Sequence, residues 1–148
     1  MSENSMKGTL VKRLSTLDAC SIESPMTGIG IPDVNYIGGW IECKSMKAWP
    51  KGCDKNPVKF DHALSKEQQV WLYRRERAGG VALVCAKVST SWFFFSGRTI
   101  KENNLWDNMT RPQMHHWAMK VFEKSLPQKE LCDWLILLRK NSAFQNTY

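Results

Sequence analysis

Segments of helical and strand character alternate along the chain, and the alternation predicts an α/β domain, a mixed β-sheet with helices packed on it. Three observations carry the prediction. Met6, Leu10, Leu14 and Leu17 recur at helical spacing near the N-terminus. Two β-rich runs, Val34-Asn35-Tyr36-Ile37 and Trp40-Ile41-Glu42-Cys43, flank Gly38-Gly39. A continuous apolar run, Val81 to Val88, follows a helix with its own start and stop signals. The 148 residues suit one domain, and 43% hydrophobic with 24% charged residues is ordinary globular composition.

Each element has a local reason. Residues 2–17 read as an amphipathic helix with Ser2 as N-cap, and residues 19–23 as a short strand. Ser24 to Gly30 is a loop by its Gly and Pro content. Residues 31–46 read as a hairpin turning at Gly38-Gly39, with Ile37 opposite Trp40. Residues 47–63 carry two prolines and several lysines and read as a long functional or mobile loop. Ser65 and Gln68 have capping-box spacing, so a helix runs from Ser65 to Arg77 and stops at Gly79-Gly80. Val81–Val88 is a strand covered on both faces, and Ser91–Ser96 is another. Residues 112–124 and 128–140 read as C-terminal helices, with Pro112 and Pro127 near their starts. Residues 1–96 then form the core, and 97–148 a helical extension of the same domain.

Charge narrows the partners. Lys plus Arg is 21 against 14 Asp plus Glu, a net +7 that favours a polyanionic partner, most often nucleic acid. Residues 1–43 hold three basic and five acidic residues, whereas residues 44–77 hold nine basic and four acidic. An acidic third beside a basic middle suits an enzyme that sets carboxylates next to a phosphate-attracting surface. Apolar runs such as Trp134 to Leu138 are far too short to span a membrane, and residues 1–9 have no apolar core for a signal peptide. The five cysteines have no C-x-x-C spacing, which argues against disulfides or zinc and for a reducing, cytoplasmic setting. His115 and His116 are adjacent on a helix and diverge by about 100°, so they suit a surface or DNA contact better than a chelate.

The hairpin gathers the chemistry. A Gly38-Gly39 turn pairs Asn35 with Glu42 and Asp33 with Lys44. Alternation then puts Asp33, Asn35, Glu42 and Lys44 on one face. Asp33 and Glu42 become diagonal neighbours, about 7–8 Å apart at the backbone. Their carboxylates can share one divalent cation, and two carboxylates plus water and phosphate oxygens are how Mg²⁺ is usually held. Lys44 can orient a water or stabilise charge in the transition state. The same spacing also suits a plain surface hairpin with an Asp33–Lys44 ion pair.

The flanking residues add a resemblance. Gly28-Ile29-Gly30-Ile31-Pro32-Asp33 with Trp40-Ile41-Glu42-Cys43-Lys44 resembles the signature of the PD-(D/E)XK nuclease superfamily. Ser65-x-x-Gln68-x-x-Trp71-Leu72 with Gly79-Gly80 makes it most similar to VRR-Nuc domains and archaeal-type Holliday-junction resolvases. The likeness covers about residues 1–96 and none of the C-terminal extension. It implies a restriction-endonuclease-like fold with core order αβββαβ. It also implies Mg²⁺, with Mn²⁺ as substitute, bound by Asp33, Glu42 and the backbone carbonyl of Cys43, and Lys44 as catalytic lysine. Cys43 departs from the usual apolar residue there, but its side chain is expected on the opposite face. Many members add an acid on the first helix, and Glu3 is the candidate; a glutamate favoured by the helix dipole is the plainer reading. Gln68 matches an active-site glutamine of resolvase-like members, a role in partial conflict with capping Ser65.

The expected DNA-binding residues are Lys47, Lys51, Lys55, Lys59 and His62 in the long loop, with Arg74, Arg75 and Arg77 extending the patch. Trp49 and Phe60, interleaved with the lysines, are candidates to stack on splayed bases. Trp92, Phe94, Trp117, Phe122, Trp134 and Leu138 suit either the sheet's far face or a dimer interface. The resulting expectation is a Mg²⁺-dependent endonuclease acting on branched DNA, most specifically a four-way junction, as a homodimer with no membrane partner. A small nuclease of this kind also fits a viral recombination role in the host cytoplasm. A nickase, flap nuclease or exonuclease, and a catalytically silent DNA-binding module, are the competing expectations.

Overall fold

The computed structural model describes residues 2–22 and 30–145, without the side chains of Glu3 and of residues 142–145. It is an α/β domain built on a six-stranded mixed sheet of order β1-β2-β3-β4-β5-β6. The chain runs α1 (Glu3–Arg13), a 3-10 turn (Ser15–Leu17), β1 (Cys20–Ser21), β2 (Val34–Tyr36), β3 (Gly39–Met46), α2 (Lys66–Arg77), β4 (Val81–Val88) and β5 (Ser91–Ser96). Then follow α3 (Gly97–Glu102), α4 (Arg111–Trp117), β6 (Lys120–Phe122) and α5 (Gln128–Gln145). Up to β4 this is the expected order of one helix, three strands, one helix and one strand. Only β3 and β4 pair in parallel; every other neighbour is antiparallel. Residues 47–80, including α2, supply the crossover that parallel pairing demands.

The sheet is covered on both faces. On one, Met6, Leu10 and Leu14 of α1 and Leu131 and Leu135 of α5 pack on Ile41, Cys43, Leu83, Cys85, Trp92 and Phe94. On the other, Trp71 and Leu72 of α2, Ile100 and Met114 pack on Val84, Ala86, Phe93 and Phe95. This two-sided burial explains why β4 and β5 are apolar without alternation. Trp92, Phe94 and Phe122 are buried within the chain itself, so these three cover the sheet and are not available to a dimer interface.

Several boundaries differ from the sequence reading, beginning with the first helix, which ends at Arg13 and gives way to the 3-10 turn instead of running to residue 17. The hairpin turns at Ile37-Gly38, and its register pairs Asn35 with Trp40 and Tyr36 with Gly39. Gly39 is a strand residue because it lies against β4, where a Cβ would stand 2.4 Å from the Val81 carbonyl oxygen. The helix expected over residues 112–124 ends at Trp117. Ala118 is extended and the Met119 N–H donates to the Phe94 carbonyl, starting β6 beside β5. The 97–148 extension is therefore not wholly helical, since it contributes a strand to the sheet. Residues 47–63 form no helix or strand but are anchored: Val58 N–H donates to Met109 O, Arg111 N–H to Cys53 O, and Phe60 N–H to Asp107. Ser65 and Gln68 form the capping box of α2 as read.

Candidate metal and phosphate site on β3

The site stands where β3 passes between α1 and α2. The revised register shifts pairing by two residues, which preserves parity, so Asp33, Asn35, Glu42 and Lys44 keep a common face. It brings Asp33 opposite Glu42 in line with the ladder, and removes the diagonal spacing and the Asp33–Lys44 pairing. Asp33 is held there by its own side chain, whose Oδ2 accepts the Cys43 N–H at 3.0 Å. Gly30, at φ +84°, lies against the first turn of α2; a Cβ would stand 2.5 Å from the Glu67 carbonyl oxygen.

Glu42 is the unusual group. Its side chain is 2% exposed, and burial, then the neighbouring Asp33 carboxylate, push its pKa up to about 9 against the pull of Lys44. Oε2 has two partners, the Gln68 amide nitrogen at 3.0 Å and the Lys44 ammonium at 3.5 Å. Among the described residues Oε1 is buried with no donor, and the Asp33 carboxyl is the hydrogen-bonding neighbour of the Glu42 carboxyl. An unpaired buried carboxylate oxygen is costly and uncommon in native proteins. Lys44, 7% exposed, has its charge beside Glu42 instead of in solvent.

Gln68 resolves the conflict between its two expected roles by using both ends of one amide. Its Oε1 accepts the Ser65 N–H at 2.9 Å, while its Nε2 donates to Glu42. The capping box thereby aims the amide at the carboxylate. Cys43 sends its thiol to the α1 face, opposite Cys85 on β4, where burial raises the pKa of both thiols. Glu3 opens α1, but its side chain lies outside the described residues, as do Gly28 and Ile29 of the signature. The helix instead brings up Lys7, which the sequence reading does not single out. Its ammonium is 3.9 Å from Asp33 Oδ1. The available signal is its place beside Met6, at the edge of the inward stripe.

The donor set fits a hard divalent cation. Two carboxyls crowd together, one of them buried with an oxygen that no donor among the described residues reaches, and Mg²⁺ commonly takes one or two carboxylates and keeps its waters. Among the described residues no three His, Cys, Asp or Glu side chains converge. A full protein cage, as for structural zinc, is thus not what these residues form.

The expected DNA-binding residues separate. Lys47, Lys51, Lys55, Lys59 and His62 are exposed. Lys47 and His62 line an open cleft of about 640 Å³ with Asn4, Ser45 and Asp61, continuous with the end of β3. Arg74, Arg75 and Arg77 are all exposed on α2, with Arg75 4.5 Å over the Trp71 ring and Arg77 donating to the Tyr73 hydroxyl. Trp49 and Phe60, the candidates for base stacking, are partly buried against the domain. Trp49 packs edge-on against Phe93 with Arg111 over its face, and Phe60 stacks on Trp106 at 4.4 Å. Both rings are spent anchoring the loop.

Neither a family model, nor a curated protein, nor a solved structure matches the chain. Among the described residues no helix is long and apolar enough to cross a membrane.

Proposed function

We propose that the chain is a metal-dependent, structure-specific DNA endonuclease of the restriction-endonuclease-like fold, with branched DNA, most specifically a four-way junction, as substrate. The observation that carries the reading is the crowding of Asp33 against a buried Glu42, whose carboxyl pKa it raises, with the Lys44 ammonium 3.5 Å from Glu42 Oε2. Two crowded carboxylates and a buried cation are costly as architecture and useful as chemistry. The helix–three strands–helix–strand order and the Pro32-Asp33…Glu42-x-Lys44 pattern support the same reading.

Asp33 and Glu42, with the Cys43 carbonyl, would hold Mg²⁺ or Mn²⁺. Such an ion supplies a water of lowered pKa and neutralises phosphodiester charge. Lys44 keeps its ammonium at the carboxylates, where it can donate to a phosphate oxygen and stabilise the charge that builds during displacement. Gln68 fixes Glu42 Oε2, so the carboxylate presents Oε1 without rotating. The exposed lysines of residues 47–59 attract the DNA backbone and act uniformly along it. A junction cut in one encounter needs a second copy of this single site, which a C2 homodimer would supply.

A second reading, a nickase or flap nuclease acting as a monomer, gains weight from one observation. Trp92, Phe94 and Phe122, three of the aromatics suited to a dimer interface, are buried in the chain's own core. Labelled four-way junction, flap and duplex, each incubated with and without Mg²⁺, separate these readings. Paired symmetric cuts in the junction only with Mg²⁺ are expected. Cleavage of flaps or duplex alone favours the monomeric enzyme, and binding without any cleavage overturns the enzymatic reading.

A further inference from the structure

We infer that Lys7 is a resident counter-ion that competes with a divalent cation for Asp33, a role that rests on the metal-site reading above. Four ionisable groups meet at this site, a lysine beside each carboxyl. Lys44 is 3.5 Å from Glu42, and Lys7 is 3.9 Å from Asp33. The pairs are not equivalent. Lys44 is on the same strand as its partner and is 7% exposed. Lys7 is on a different element from Asp33, is 16% exposed, and lines an open cleft of about 700 Å³ with Asn4, Gly8, Lys12 and Ser21. Its ammonium can leave Asp33 for that cleft by side-chain rotation while α1 stays packed through Met6, Leu10 and Leu14.

Asp33 is equally suited to exchange. Its Oδ2 is committed to the Cys43 N–H, but Oδ1 meets the ammonium at 3.9 Å, beyond hydrogen-bond length. A cation entering at Oδ1 therefore competes with the Lys7 ammonium, while Oδ2 keeps its hydrogen bond to Cys43. The ammonium neutralises Asp33 before metal arrives and raises the threshold for metal occupancy, so Lys7 acts as a positioning residue for charge.

The test is Mn²⁺ binding to the full chain without DNA, by calorimetry and electron paramagnetic resonance, for wild type, Lys7→Gln, Lys7→Arg and Lys129→Gln. Lys7→Gln is expected to bind Mn²⁺ about three- to tenfold more tightly, the scale of one partly screened unit charge at this range. Lys7→Arg keeps the charge and should stay within about twofold of wild type. Lys129→Gln removes the same charge from a surface i,i+4 pair with Asp133 on α5, and should change nothing. Equal affinity in wild type and Lys7→Gln overturns the counter-ion and leaves the metal reading standing. Absence of Mn²⁺ binding in both overturns the two together. A Lys129→Gln shift as large as that of Lys7→Gln overturns the local effect in favour of net charge.

Discussion

Two sets of lysines in this protein differ in their exposure to solvent. Lys44 is buried on β3 against Glu42, and Lys7 is mostly buried on α1 against Asp33. Lys47, Lys51, Lys55 and Lys59 stand exposed on the loop that leaves the same strand. Residue type is constant and solvent is not. A desolvated ammonium acts on one oxygen at close range, because little water screens it. An exposed one acts on the field around the molecule, and salt weakens it within a Debye length. On the proposed function the first group serves the chemistry and the second the attraction of DNA, and substitutions should separate them by both size and kind of effect.

The largest effects belong to the carboxylates that the buried lysines face. Asp33→Ala or Glu42→Ala should lower single-turnover cleavage of a labelled junction by about a thousandfold or more, as expected for loss of metal-assisted chemistry. Gel-shift affinity for the same junction should persist, because the basic loop is untouched. Near-normal rates in either variant would break the assignment.

Next comes Lys44. Lys44→Ala should cost about a hundred- to a thousandfold in turnover, the range for removing one transition-state donor. Excess Mg²⁺ should not restore it. Full rescue by metal would place the ammonium in metal affinity alone.

The third effect is on stability. Glu42 titrates at about 9 in the folded chain and at 4.5 as a free side chain, so between those values the folded state holds a proton that the unfolded state has lost. Stability from this group is complete below about pH 4.5, falls as pH rises through that window, and levels off above about 9. Glu42→Gln keeps the neutral form and should flatten the decline, giving a midpoint higher than wild type by about several °C at pH 9 without metal. Parallel melting curves across pH for the two proteins would show the carboxyl does not titrate there.

The smallest effect in any single condition sharpens the comparison most. Lys51, Lys55 and Lys59 changed together to Gln should leave the metal-saturated cleavage rate of bound DNA unaltered. They should reduce the slope of log affinity against log salt by about two to three, since each phosphate left without its lysine lowers it by about 0.9. An unchanged slope would mean that DNA approaches another face.

The site is more legible in the sequence than the frame around it. Asp33, Glu42 and Lys44 lie within twelve positions on a hairpin, and strand alternation assigns their face whichever of two turns is used, because the alternatives differ by an even shift. The turn itself misleads because Gly38-Gly39 is a good turn signal, while Gly39 is glycine for its approach to Val81 on β4, a tertiary reason. Local capping chemistry places α2, since Ser65 and Gln68 are three apart. Strand β6 escapes a sequence reading because Lys120-Val121-Phe122 is too short for a periodicity, and its pairing with β5 defines it. Trp49 and Phe60 look like exposed aromatics in a polar loop, and only their long-range partners Phe93 and Trp106 show otherwise. Lys7 is invisible for the same reason: its partner lies on another element, and a lysine beside an apolar stripe reads as a solvated edge.

Gly30 sets the tolerance of this region to sequence change. Its φ of +84° and the 2.5 Å approach of a Cβ to the Glu67 carbonyl are independent obstacles to any side chain. A library that randomises every position should therefore find two adjacent rules of different origin. Position 33 would be selected only when cleavage is demanded. Position 30 would be selected whenever folding is demanded, because another residue there pushes on the helix turn that carries Gln68. Substitution frequencies measured under binding and under cleavage would then divide at Pro32, with the glycine fixed in both screens and the aspartate in one.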